Sequence, residues 1–143
     1  MNLRAVLDTN VLISGLIGTT GAPRQIMDAW LDGRYTLVTS LYLVEELAHV
    51  LSYPRIADRL VREMEAEAIL AALLSQADVT PGRLRLPGVT RDPKDDAVAA
   101  CAVEGDADYV VSGDRDLLVL EAFKGVAYVT PRCFMEILDA YTR

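Results

Sequence analysis

Four acidic residues, spread along the chain, occur in surroundings that suggest shared chemistry. Asp8 and Asp114 each follow a short apolar run, and runs of this kind bounded by polar residues predict buried strands. Glu46 and Asp95 belong to predicted helices. The single histidine, His49, is predicted on the outer face of its helix. Carboxylates that gather without His or Cys favour a hard cation such as Mg²⁺ or Mn²⁺.

Glu46 is informative because of its position on the helix predicted over residues 41–51. Leu43, Leu47 and Val50 recur there at helical spacing and form an apolar stripe. Glu46 lies inside that stripe, where a carboxylate is costly unless it is paired or bound to a metal. The alternative is a side chain at the edge of the stripe whose carboxylate reaches water.

Asp95 and Asp96 begin the next predicted helix, over residues 95–104. Acidic residues at this end of a helix often only cap it and oppose its dipole. Asp95 shares a face with Ala99 and Ala102, which are small enough for close packing on a sheet. We therefore favour Asp95 as the inward-facing acid, with Asp96 as the alternative.

The order of elements predicts the fold class. Strands alternate with helices, which is typical of a parallel sheet covered on both faces. We expect one domain over residues 1–143, a three-layer α/β/α sandwich whose central parallel sheet has about four to five strands. The strands are predicted at residues 3–8, 35–40, 107–112 and 126–129, with a short one at 78–80. Further helices are predicted at residues 11–17, 23–32 and 131–141, with one or two helices over 56–76 and a helical turn at 116–123.

The composition excludes some classes of function. The net charge is −7 and 52% of the residues are hydrophobic, which argues against a protein that simply coats nucleic acid. A cation held by the acids could still bridge them to an anionic backbone. Basic residues that could then contact phosphates occur in two groups: Arg55 and Arg59, and Arg83, Arg85 and Arg91.

The expected location is the cytoplasm. No apolar run approaches the ~20 residues of a membrane span, and the first residues lack the pattern of a signal peptide. Cys101 and Cys133 lie in apolar surroundings without CxxC spacing. Both are therefore expected to be reduced and buried.

The acidic motifs together resemble those of PIN-domain proteins, over nearly the whole chain. Each motif is short, but their order and spacing are specific. The nearest subgroup is that of bacterial and archaeal toxins of toxin–antitoxin pairs. The matching segments are Leu7-Asp8-Thr9-Asn10, Ser40 with Glu45-Glu46-Leu47, Asp92-Pro93-Lys94-Asp95-Asp96 and Ser112-Gly113-Asp114-Arg115-Asp116.

The resemblance implies a ribonuclease that uses Mg²⁺ or Mn²⁺ to hydrolyse phosphodiester bonds. The family's four acids fall on Asp8, Glu46, Asp95 and Asp114, of which Asp8, Asp95 and Asp114 are expected to hold metal. Secondary positions fall on Asn10, Asp96, Ser112 and Asp116. The resemblance further implies RNA as the substrate, a small antitoxin as a partner and a homodimer.

Two other functions remain open at this stage. A Mg²⁺-dependent aspartyl phosphatase of the haloacid-dehalogenase type also places an Asp after the first strand. It needs a second Asp two residues later, where this chain has Asn10. The other alternative is a catalytically weak PIN-like module that binds a partner protein.

Overall fold

A single mixed sheet forms the centre of the protein. The computed structural model describes residues 2–59 and 63–141, and six strands of that part lie in the order β3-β2-β1-β4-β6-β5. All neighbouring strands are parallel except β5 and β6, which are antiparallel. The strands are β1 (Arg4–Leu7), β2 (Thr36–Ser40), β3 (Asp78–Thr80), β4 (Tyr109–Val111), β5 (Ala122–Phe123) and β6 (Val126–Val129).

Helices cover both faces of this sheet. They are α1 (Thr9–Ile17), α2 (Ala22–Leu31), α3 (Leu41–Leu51), α4 (Pro54–Ala57), α5 (Glu63–Gln76), α6 (Pro93–Glu104), α7 (Arg115–Leu118) and α8 (Pro131–Tyr141). One apolar cluster joins α1, α2, α3, α5 and α8 to one face of the sheet. A second joins α6 and α7 to the other face. The prediction of a three-layer α/β sandwich is therefore confirmed.

Strand register brings the predicted acids to one edge of the sheet. Leu7, the last residue of β1, pairs with Val111, the last residue of β4. Asp8 and Ser112 follow directly, so they lie side by side where two parallel strands end. At the next strand, Ser40 ends β2 and accepts a hydrogen bond from Leu43 N (3.3 Å) as the N-cap of α3. Helices α1 and α3 thus both begin at the carboxyl edge of the sheet.

Small residues let α6 pack closely on the sheet. Val98, Ala99 and Ala102 are buried, and α6 ends at Gly105 against the neighbouring strand. A Cβ at Gly105 would lie 2.4 Å from Val38 Cγ1. Because a real Cβ never approaches so closely, only glycine allows the chain to pass here.

Several predicted details differ in the structure. The sheet has six strands rather than four to five, because residues 122–123 form a short antiparallel edge strand. The helical turn predicted at residues 116–123 is shorter in the structure, where the helix covers Arg115–Leu118. The one or two helices predicted over 56–76 correspond to α4 and α5, and residues 60–62 lie outside the described part.

The burial predicted for Cys133 is wrong. Cys101 is buried, but Cys133 is exposed. On α8 the buried stripe consists of Phe134, Met135 and Leu138, and Cys133 projects from the other side. As for membranes, none of the helices in the described residues is long and apolar enough to cross one.

Candidate metal centre

Three aspartates come together beside the end of β4. Asp95, Asp114 and Asp116 each place one carboxylate oxygen within 4.8 Å of the others. Asp95 comes from the first turn of α6 and is buried, with 7% of its surface exposed. Asp114 is the N-cap of α7 and Asp116 lies in its first turn. Two short segments from different parts of the chain thus build one acidic group.

Hydrogen bonds within the turn before α7 hold Asp114 and Asp116 in place. Asp114 Oδ1 accepts from the backbone N of Asp116 at 2.9 Å. The backbone N of Asp114 donates to Ser112 Oγ, also at 2.9 Å. Ser112 therefore orients Asp114, and Asp114 in turn orients Asp116. The two carboxylates are presented on the same side.

Ser112 also links this turn to Asp8. Its side chain is fully buried, and Ser112 Oγ donates to Asp8 Oδ2 at 2.8 Å. Asp8 occupies the N-cap position of α1 but makes no side-chain capping bond. Its carboxylate instead faces the sheet edge, where it lies outside the group of three aspartates. Ser112 is therefore a positioning residue that ties Asp8 to the turn bearing Asp114.

Burial and mutual repulsion raise the pKa of two of these acids. Desolvation is the largest cause of the raised pKa of Asp8, followed among the raising effects by the charges of Asp114 and Glu46. For Asp95, desolvation and then the charges of Asp114, Asp8 and Asp92 raise the pKa to about 7. Like charges crowded in this way favour either a bound proton or a cation.

Glu46 reaches the same region from α3. Its carboxylate accepts a hydrogen bond from Thr9 Oγ1 at 3.1 Å and lies 3.7 Å from Lys94 Nζ. Its side chain is only 19% exposed. Sequence reasoning missed Thr9 and Lys94 as its partners, although both adjoin predicted acids. Glu46 lies outside the group of three aspartates and acts on Asp8 through its charge.

Asp96 faces a different way from Asp95. Its carboxylate accepts hydrogen bonds from the backbone N atoms of Gly88 (3.0 Å) and Thr90 (2.6 Å) and from Thr90 Oγ1 (2.9 Å). It therefore holds the loop before α6 instead of joining the acidic group. The structure thus buries Asp95 and assigns Asp96 to a loop contact.

The basic candidates lie at different distances from the acids. Arg91 donates to Asp116 Oδ1 at 2.6 Å, while its side chain remains 85% exposed. Arg85 donates to the carbonyls of Gly82 and Leu84 in its own loop. The other basic candidates named from the sequence are exposed: Arg55, Arg59 and Arg83. Asn10, the polar position near Asp8, is also exposed.

The donor set fits a hard divalent cation. Three carboxylates offer only oxygen, which Mg²⁺ and Mn²⁺ prefer. Burial and the neighbouring carboxylates raise the pKa of Asp95 to about 7, and the Arg91 guanidinium forms its ion pair with Asp116. Asp95, Asp114 and Asp116 could therefore hold a metal ion.

The structure is an α/β protein with a mostly parallel sheet and a group of carboxylates at the carboxyl edge of that sheet. A family model described as a PIN domain matches residues 4–116. The chain belongs to the PIN-domain family, whose members are generally ribonucleases.

Three known proteins are similar to this chain in sequence or in fold. The uncharacterized protein MJ1680 of Methanocaldococcus jannaschii is 29% identical over 120 residues, which are 84% of this chain and 76% of that protein. PAE2754 from Pyrobaculum aerophilum has a similar structure, with a TM-score of 0.60, 20% identity and coverage of 97% of this chain and 90% of that one. VapBC2 from Rickettsia felis, solved with a DNA fragment from its promoter, gives a TM-score of 0.53 at 12% identity, covering 90% and 98%.

Proposed function

We propose that this protein is an endoribonuclease that hydrolyses RNA phosphodiester bonds with Mg²⁺ or Mn²⁺. The observation that carries the proposal is the group formed by Asp95, Asp114 and Asp116, with oxygens within 4.8 Å of one another. It lies at the carboxyl edge of a parallel sheet, where open α/β proteins bind their ligands. Family membership supports the same class of reaction.

The position of each acid suggests its role in the reaction. Asp95, Asp114 and Asp116 would hold the ion, with Asp8 and Glu46 completing the acidic site on the side of β1 and α3. A bound divalent ion would polarise the phosphodiester and lower the pKa of an attacking water. Asp8, with a pKa raised by burial, is a better proton acceptor at neutral pH than an exposed aspartate. Ser112 Oγ keeps Asp8 Oδ2 oriented.

RNA cleavage tests the proposal. With a labelled single-stranded RNA, we expect cleavage in Mg²⁺ or Mn²⁺, none in EDTA, and recovery when the metal is restored. Asp8→Asn and Asp114→Asn should each lower the rate by roughly 10²–10⁴-fold, because several kcal/mol of transition-state stabilisation is lost. Equal cleavage by all three proteins, with and without EDTA, would contradict the proposal. Absence of calorimetric heat on titration with Mn²⁺ would favour the weak-binding interaction module instead.

Arg91 and Lys94 are proposed to contact the phosphates that flank the scissile bond. Both are largely exposed, with side chains 85% and 65% accessible. Arg91 pairs with Asp116 and Lys94 approaches Glu46, so both cations lie beside the acids. Arg91 can exchange the partly exposed Asp116 carboxylate for a phosphate at small cost, since exposed ion pairs contribute little, and Lys94 Nζ is only loosely paired with Glu46, at 3.7 Å. Arg83, Arg85, Arg55 and Arg59 remain candidates for more distant phosphates.

Arg91→Ala is expected to affect RNA and metal in opposite directions. RNA binding should weaken by about 3–10-fold and depend less on salt, because one phosphate contact is lost. Mn²⁺ binding measured by calorimetry should become tighter, since Asp116 loses a competing cation. Lys124→Ala removes the same charge at the opposite edge of the sheet and should change neither. Weaker binding of both RNA and Mn²⁺ by Arg91→Ala would contradict this assignment.

The partner of the nuclease is proposed to be a small antitoxin, with the nuclease itself a homodimer. The motif resemblance to toxins supports this pairing, as does the fold shared with VapBC2, which was solved on promoter DNA. Exposed apolar side chains on α3 and just beyond it, Leu41, Tyr42 and Tyr53, offer contact surface. Light scattering of the purified protein, alone and co-expressed with the product of the neighbouring gene, tests both associations.

A further inference from the structure

A cavity of about 800 Å³ lies between α6 and the loop that precedes it, residues 81–90. The residues of α6 that line the cavity recur at helical spacing and therefore form one face of the helix. They are Pro93, Asp96, Ala97, Ala100, Cys101 and Glu104. Asp95 lies beside this face and belongs to the acidic group instead. The cavity volume is within the range of small-molecule sites, roughly 300–1,000 Å³.

The loop supplies a second wall that is apolar inside and basic outside. Leu84 and Leu86 are half-buried and line the cavity. Arg83 and Arg85 alternate with them and are exposed. The Glu104 carboxylate fixes this part of the loop, because it accepts hydrogen bonds from the backbone N atoms of Arg83 (3.0 Å) and Leu84 (3.2 Å). An apolar space is thus bordered by two exposed guanidinium groups.

Tyr42, in the first turn of α3, brings an aromatic ring to the same cavity. Tyr42 lines the cavity and is 50% exposed. It precedes Glu46 by four residues, so the two side chains are neighbours on one face of α3. Lys94, which lies 3.7 Å from Glu46, directly follows Pro93 of the cavity wall. Both α3 and α6 therefore connect the cavity to the acidic site within about one helical turn.

Strand register shows the same proximity. Ser40, the last residue of β2, lines the cavity. Val6 of β1 pairs with Val38 of β2. Asp8 and Ser40 each follow two residues later, so they lie at the same level of the sheet. Since neighbouring strands are about 4.8 Å apart, a nucleic-acid strand bound at the acids can continue directly into the cavity.

We propose that the cavity receives one unpaired base of the RNA substrate, which stacks on the ring of Tyr42. This inference rests on the proposed ribonuclease function and specifies its substrate as single-stranded RNA, because a paired base could not enter. A nucleobase is a flat, uncharged ring system that suits apolar walls, and its stacking on an aromatic ring tolerates any base. Arg83 and Arg85 at the border would contact phosphates of the same strand.

RNA binding by a slowly cleaving variant tests the stacking. Asp114→Asn keeps the RNA intact, and the anisotropy of a short, labelled single-stranded RNA in Mn²⁺ gives its affinity. In this background Tyr42→Ala should weaken binding by roughly 5–100-fold, the worth of one stacked base, whereas Tyr42→Phe should retain the affinity. Tyr53→Ala is the matched control, since Tyr53 is similarly exposed (45%) at the other end of α3. It should leave binding unchanged.

An abasic RNA of the same length and charge tests whether Tyr42 contacts the base. We expect Tyr42→Ala to leave the affinity for this RNA unchanged, because the stacking partner is absent. An equal loss of affinity for both RNAs would mean that Tyr42 contacts the backbone, and it would overturn the proposal. Unchanged affinity of Tyr42→Ala for the RNA that carries bases would also overturn it, as would the absence of any measurable RNA binding.

Filling the cavity tests whether the base enters it. Ala97→Phe occupies the space from the helix side and should weaken binding of the base-containing RNA much as Tyr42→Ala does. Ala140→Phe, at an exposed position of α8, should have no effect. Circular dichroism establishes whether Ala97→Phe is folded, and if it is not, the Tyr42 variants decide. Unchanged affinity in a folded Ala97→Phe protein would overturn the placement of the base.

Cleavage by the wild-type protein, assayed in parallel, separates this proposal from the ribonuclease function. If the wild-type protein cleaves RNA but Tyr42→Ala does not weaken binding, the ribonuclease function stands and the base site is wrong. If the wild-type protein does not cleave but Tyr42→Ala weakens binding only of the RNA that carries bases, the cavity is a base-binding site and the ribonuclease function fails.

Discussion

Asp95→Asn is expected to stabilise the metal-free protein while it removes the response to metal. Asp95 is buried among Asp8, Asp92 and Asp114, whose charges and the surrounding desolvation raise its pKa to about 7. A neutral amide removes this repulsion and can still donate to Asp114. At pH 8, in EDTA, we expect a gain of about 1–2 kcal/mol in the free energy of unfolding, or roughly 3–8 °C in melting temperature.

The same substitution removes one oxygen ligand from the proposed site. Mn²⁺ raises the melting temperature of the wild-type protein by mass action, since it binds only the folded chain. We expect Asp95→Asn to lose most of this rise and to lower RNA cleavage at least 100-fold. Thermal unfolding with and without Mn²⁺ measures the first effect directly and does not depend on finding the right RNA.

Asp96→Asn is the matched control, because it makes the same chemical change at the next residue. The ionised Asp96 carboxylate accepts hydrogen bonds from Gly88 and Thr90. Its neutralisation should lower the stability of the metal-free protein and leave the response to Mn²⁺ intact. If both variants shifted stability in the same direction, the separation of the two acids by role would be wrong.

The acids could be located from the sequence because each lies next to a pattern with a physical meaning. Asp8 and Asp114 follow apolar strands, and the ends of parallel strands meet at one edge. The apolar stripe of α3 placed Glu46 toward the interior, where its side chain is 19% exposed. The small residues of α6 favoured Asp95 over Asp96. These inferences required only the spacing of apolar and small residues, which is a local property of the sequence.

The contacts among these residues could not be obtained in this way. Ser112 reaches Asp8 across 104 positions of sequence because β1 and β4 pair in register. Asp116 joins Asp95 and Asp114 because the turn at Asp114 is tight, a property of side-chain hydrogen bonds rather than of residue order. The Arg91–Asp116 pair similarly joins residues 25 positions apart that only the fold brings together. Register and turn geometry are set by tertiary packing, which one sequence does not display.

The loop before α6 is a second example of this limit. It contains Pro81, Gly82, Pro87 and Gly88, and nothing in its sequence indicates that Glu104 and Asp96 bind its backbone. Asp96 at the start of a helix has an ordinary explanation as a dipole partner. Only the fold shows that its carboxylate accepts a hydrogen bond from the backbone of Gly88, eight residues earlier in the chain.

The stability of the metal-free protein is expected to fall as the pH rises from about 4 to about 7. The pKa of Asp95 is about 7 in the folded protein and 3.8 as an ordinary aspartate. Within this interval the folded chain therefore binds more protons than the unfolded chain, and stability decreases with pH. The raised pKa of Asp8 acts in the same direction. The contribution is fully present below about pH 4 and lost once the pH passes 7.

Two comparisons identify the groups responsible for this slope. Asp96 and Glu104 have lowered pKa values, so their contribution is lost only as the pH falls below about 4, outside the interval. Melting temperatures measured from pH 4 to 8 in EDTA should therefore decline in the wild-type protein and decline much less in Asp95→Asn. Saturating Mn²⁺ should abolish the decline near neutral pH, because a cation replaces the proton among the same oxygens. A wild-type protein whose stability rises from pH 5 to 7 in EDTA would show that these carboxylates do not repel one another, and the electrostatic argument for a metal centre would fail with it.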